Sequence, residues 1–301
     1  MEKINFKHSV IFFNLCILIS PFYLMLNFEP IILCLLLILI LGISHGALDN
    51  IKGKKLLKLF GYESTAYFYL IYILISFLII IFWMVFPNIV LFLFLVVASY
   101  HFGKEDTVFS FKRKFLVSEF LFFLKGISVI ATPLLLQRDA TNEIFKILNF
   151  DVFESAIFSD EFLIILLCLS FLSSLYISNK KNSDIKGIMI MDFSSLIILN
   201  FFLTPILAFT LYFCFLHSIR HSITLIFELD KNFKSGVKKF INKAIPLTFV
   251  TAVIFLFTIY FLHNFYELDE AIYKVIFIGL ASLTFPHILL EYLLEKNEKR
   301  T

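Results

Sequence analysis

A chain of 301 residues that is 60% hydrophobic and only 16% charged cannot cover itself with polar surface, which excludes a soluble globular domain and marks an integral membrane protein. Its net charge is only +3, and its basic residues fall in short separate clusters, which excludes a nucleic-acid-binding face. Apolar runs of about 20 residues recur along the whole length, as spanning helices require, and the alternating ten-residue segments of a membrane barrel are missing.

In chain order the runs are 9–28, 30–49, 63–86, 88–103, 116–136, 160–179, 188–203, 205–228, 245–264 and 271–293. The first carries no small-residue cleavage pattern and is read as a spanning helix rather than a leader. Pro30, Pro87 and Pro205 mark joints of a residue or two, as suits tight turns between antiparallel helices. The runs 88–103 and 188–203 are short enough to be tilted or re-entrant, so the expectation is eight to ten spans. With the N-terminus inside, segments 1–8, 50–62, 104–115, 180–187, 229–244 and 294–301 face the cytoplasm and hold most of the 26 basic residues. The outer loops 137–159 and 264–270 are acidic instead. The fold expected is thus all-α: a polytopic membrane helix bundle in the cell's cytoplasmic membrane, one domain over 1–301, both termini cytoplasmic. Cys16, Cys34, Cys168 and Cys214 lie singly in apolar runs, with no CxxC spacing, and read as small buried hydrophobes.

Against this apolar background the histidines stand out. His8 lies in the N-terminal tail and His263 at the outer end of a span, and both read as interfacial. His217 and His221 are four residues apart, so on a helix their imidazoles share one face. At about 1.5 Å per residue from the outer ends of their spans, His45, His101, His217, His221 and His287 all fall roughly 18–24 Å in. Alternating helix directions scatter sequence positions, so agreement in depth points to one shared site on the cytoplasmic side. Each histidine also has polar company. Asp49 follows His45 by one turn, Glu105 and Asp106 follow His101, and Glu291 follows His287. A metal-bound imidazole commonly passes its other N–H to such a carboxylate. Arg220 lies off the His217/His221 face and either pairs with a carboxylate or reaches for the interface.

Imidazole suits zinc, copper, iron and nickel alike. There is no HExxH, which leaves a zincin-type protease unsupported. A four-imidazole site with open positions suits dioxygen on ferrous iron. Three other readings compete. A di-iron lipid hydroxylase or desaturase needs more histidines than the seven present and usually adjacent pairs. A haem-binding electron carrier needs axial ligands farther apart than His217 and His221. A transporter would use the buried histidines and Asp49 as an ion relay.

At HGALD (45–49), YHFGKED (100–106), YFCFLHSIRH (212–221) and PH (286–287) the sequence resembles the Brp/Blh family of bacterial and archaeal membrane β-carotene 15,15′-dioxygenases. The motifs occur in the family's order across nearly the whole chain. The resemblance implies ferrous iron (Fe2+) on His45, His101, His217 and His221, with His287 a ligand or a hydrogen-bonding neighbour. It implies cleavage by O2 of the central double bond of β-carotene, or a related carotenoid entering from the lipid bilayer, to give two all-trans retinal. Such retinal typically supplies a microbial rhodopsin. Asp49, Glu291 and Arg220 are candidates to support the ligands. Tyr100, Tyr212, Phe213 and Phe285 adjoin the motif histidines and are candidates to line the substrate tunnel.

Overall fold

The computed structural model describes residues 2–23, 25, 30–44, 46–107, 116–150, 158–178 and 183–298. Among these the ordered elements are all helical. In chain order they are α1 (Glu2–Tyr23), α2 (Ile31–Gly42), α3 (Asp49–Leu59), α4 (Ala66–Val85), α5 (Pro87–Glu105), α6 (Leu116–Gly126), α7 (Ser128–Leu136), α8 (Arg138–Ile147), α9 (Asp160–Ser178), α10 (Ser183–Phe202), α11 (Pro205–Leu229), α12 (Phe233–Leu262) and α13 (Leu268–Glu298). With α6 and α7 counted as one span, Val117–Leu136, nine helices among the described residues are long and apolar enough to cross a membrane, and Ile31–Gly42 is a shorter apolar one. The chain is a polytopic α-helical, multi-pass membrane protein.

Several expected boundaries move for identifiable reasons. The run 30–49 is a helix only to Gly42, where its last turn widens to π geometry. The run 116–136 breaks at Ile127 into α6 and α7. The two short runs are full-length: α5 and the apolar part of α10, Asp184–Phe202, have 19 residues each. α12 begins at Phe233, so most of the expected basic loop 229–244 is helical, capped by the Asn232 side chain accepting from the Ser235 N–H. The expected outer loop 137–159 contains the amphipathic helix α8, which buries Thr141, Ile144 and Phe145. Arg138 anchors its start on the Phe158 carbonyl and on Asp160 (2.6 Å). At the end of α3, Gly61 takes φ +82°, and Tyr62 and Gly61 N–H groups close a Schellman turn on Leu57 and Lys58.

The helices form two compact units: 1–42 with 95–224, and 43–94 with 225–301. In the first, α1 packs on α10, α9 packs on α6, α7 and α10, and α2 packs on α11. Its buried surfaces are unusually polar. Asn5, Ser9 and Ser20 of α1, Ser170, Ser173, Ser174 and Ser178 of α9, and Asp192, Ser195 and Asn200 of α10 all point inward. With lipid outside, apolar side chains gain nothing by hiding, and polar ones must find partners inside. In the second unit, α13 packs on α3, α4 and α12. Most of the apolar surface of α4 and α12 stays exposed, as lipid-facing helices require. Cys16, Cys34 and Cys214 are buried free thiols, while Cys168 is exposed.

Candidate functional site

In the first unit the site grows from a backbone contact. α5 and α6 touch at Gly103 and Gly126: a methyl at Gly103 would overlap the Phe122 carbonyl, and one at Gly126 the Ser99 carbonyl. Only glycine allows that approach. It leaves the end of α5, with His101, Glu105 and Asp106, facing α11. There the backbone runs as a π-helix over Tyr212–Ser218 before resuming α geometry. π-turns inside α-helices are rare and gather at functional sites. A second π-turn, Ile38–Gly42 of α2, packs against this one, with Gly42 under the Phe213 ring. His8 is no bystander: its Nε2 bonds to the Phe215 carbonyl at 2.7 Å, within the π-turn.

His217 and His221 then meet two successive carboxylates. His217 Nδ1–H donates to Asp106 Oδ1 (3.0 Å), and His221 Nδ1–H donates to Glu105 Oε2 (3.0 Å). Tyr212 O–H donates to the other oxygen of Asp106 (2.7 Å). With Nδ1 committed to a carboxylate, the lone pair left for a ligand lies on Nε2. The Nε2 atoms of His217 and His221 are buried, with no hydrogen bond in the described structure. The His101 ring lies 5.2 Å from that of His217, centroid to centroid. Two imidazoles bound at about 2.0–2.1 Å to one ion place their centroids roughly 4.5–5.5 Å apart. His101 and His217 thus stand at the spacing that two donors to one ion would have. Among the described residues no group of three or more His, Cys, Asp or Glu side chains could by itself hold a metal ion. His45 lies outside the described residues.

The second unit holds its own cluster. His287 Nδ1–H donates to Asp49 (2.8 and 2.9 Å), and Tyr72 O–H donates to Asp49 Oδ2 (3.0 Å) and to the Leu283 carbonyl (3.1 Å). His287 and Asp49 are both buried, and the buried Nε2 of His287 makes no hydrogen bond in the described structure.

Glu291 pairs with Lys52, and His287 meets Asp49, 238 residues away. Of the two readings of Arg220, pairing with a carboxylate is the one observed. Its side chain is fully buried, grips Asp192 with two hydrogen bonds (2.6 and 3.0 Å) and donates to Ser9 (2.8 Å), which in turn donates to Asp192. Of the tunnel candidates, Phe213 stacks on His217 (5.9 Å, 15° between planes), and Tyr212 is tied to Asp106. Tyr100 donates to Glu119, and Phe285 is half-buried. Sequence reasoning missed Phe102, which meets the His217 ring edge-on at 4.8 Å, and missed Tyr72, Lys125 and Asp192. Lys125 and Asp192 carried a usable signal, since each is an ionisable residue inside an apolar run.

The fold and these clusters define a class: a multi-pass α-helical membrane protein that buries histidine–carboxylate pairs among its spanning helices. The sequence pattern of the beta-carotene 15,15'-dioxygenase family matches residues 36–295, and the chain belongs to that family. It is 29% identical over 274 residues to the beta-carotene 15,15'-dioxygenase of uncultured marine bacterium 66A03, across 88% of this chain and 94% of that protein. No solved structure matches it.

Proposed function

We propose that this protein cleaves the central 15,15′ double bond of β-carotene with O2, giving two all-trans retinal, at ferrous iron held by His45, His101, His217 and His221. The observation that carries this reading is the pairing of His217 and His221 with Asp106 and Glu105 beside the His101 ring, within a chain of this family. Iron at these imidazoles supplies O2 activation.

The chain's own groups do the rest. Asp106 and Glu105 fix the tautomer and orientation of two ligands, and Tyr212 steadies Asp106. Phe102 and Phe213 wall the His217 ring with hydrocarbon, which suits a polyene held against the site. The polyene offers many similar bonds, so regiochemistry comes from where the pocket holds it. In the second unit Asp49 and Tyr72 orient His287. The protein sits in the cytoplasmic membrane with both termini inside, takes carotenoid from the bilayer and passes retinal to a microbial rhodopsin.

The test is expression of the full chain in a carotene-accumulating bacterium, followed by pigment extraction. Bleaching with retinal formation is expected, with at least about 100-fold loss in His45→Ala, His101→Ala, His217→Ala and His221→Ala. Retinal yields that survive these substitutions end the proposal.

A further inference from the structure

Lys125 is a lysine inside an apolar helix, buried, and unused by the chemistry described above. Such a residue needs a reason. Its placement is tightly set. The Lys125 carbonyl accepts hydrogen bonds from Ser128 (2.8 Å) and Ser170 (2.7 Å), and the next residue is Gly126, in backbone contact with α5. The side chain opens on a cavity of about 30 Å³ whose polar wall includes Asp106, Asp192, Ser128, Ser174 and Tyr212. That volume takes one or two waters. The charged residues that line it are Lys125, Asp106 and Asp192, all within the first unit. Asp192 already has a cation in Arg220, through two hydrogen bonds. Among the described residues the hydrogen bonds to the Asp106 carboxylate come from the tyrosine hydroxyl and the ring N–H of a histidine.

We propose that Lys125 is a positioning residue: its ammonium supplies the countercharge for Asp106 across this cavity and thereby keeps the Asp106 carboxylate, and through it His217, in the metal-holding orientation. This rests on the reading of His217 as a metal ligand. Lys125 touches neither substrate nor metal; it acts through Asp106.

The test titrates Fe2+ without oxygen into metal-stripped full-length protein in detergent and assays retinal formation alongside. Lys125→Met is expected to weaken Fe2+ binding about tenfold, with Lys125→Arg recovering most of it. Asp106→Asn weakens binding at least as much, and the double variant Lys125→Met/Asp106→Asn binds no worse than Asp106→Asn alone, since the lysine then has nothing to hold. Wild-type affinity in Lys125→Met, or a double variant weaker than Asp106→Asn by the full Lys125→Met factor, overturns the proposal. If Lys125→Met does not accumulate in membranes, the double variant decides, because it leaves the Arg220–Asp192 pair intact and no buried charge in excess. Accumulation of the double variant with the Asp106→Asn affinity supports the role, and its failure to accumulate overturns it. A wild-type protein that binds no Fe2+ overturns the metal reading itself, whereas normal wild-type binding with an indifferent Lys125 overturns only this step.

Discussion

At the scale of single residues, the histidines were visible because an imidazole at membrane depth has no bland use. Their partners were only half visible. Glu105 and Asp106 stood out in the YHFGKED stretch. That they serve His221 and His217 on α11, rather than His101 on their own helix, is a property of how two helices face each other. The same applies to Asp49, which helical spacing assigned to His45 and which binds His287. Glu105→Gln and Asp106→Asn should each lower metal affinity about 10–100-fold, because either change replaces a charged acceptor that sets a ligand's tautomer with a neutral amide offering one acceptor oxygen. Direct Fe2+ titration reads this without relying on turnover. Tyr72→Phe removes the hydroxyl from Asp49 and should cost about 1 kcal/mol of thermal stability, as a single lost hydrogen bond does.

Among the elements, hydropathy located every long helix and misplaced several ends. The π-turns of α2 and α11 were illegible, since nothing in ILILG or YFCFLHS separates an i+5 from an i+4 ladder. α8 was hidden because its polarity reads as a loop, and its helical period shows only when Thr141, Ile144 and Phe145 are seen buried together. Gly103 and Gly126 were readable as permissive positions but not as each other's counterpart. Gly103→Ala and Gly126→Ala should each push α5 and α6 apart against a carbonyl that cannot yield, destabilising the protein by about 1–3 kcal/mol or more. Thermal unfolding in detergent measures it. Activity should fall as well, because Glu105 and Asp106 ride on the displaced helix end.

Across the whole molecule, fold class and spanning character were written in the composition, because a chain with so few charges has no other solvent to live in. What composition could not give was the internal polar framework. The Ser9–Asp192–Arg220 group joins α1, α10 and α11, and its members lie 28 to 211 residues apart. Asp192→Asn should break it and destabilise the protein by about 3–5 kcal/mol, since a guanidinium would remain buried without its carboxylate. The loss should appear as reduced accumulation in membranes, whether or not carotene is supplied. That distinguishes a framework residue from a ligand, whose loss should leave accumulation unchanged.

The central claim, that imidazoles from separate helices converge on one iron, is tested most directly by the iron content of purified full-length protein beside its His217→Ala variant. The account predicts about one iron per chain in the former and less than about a tenth of that in the latter, at equal yield. An iron-free wild-type protein, or equal iron in both, would contradict it.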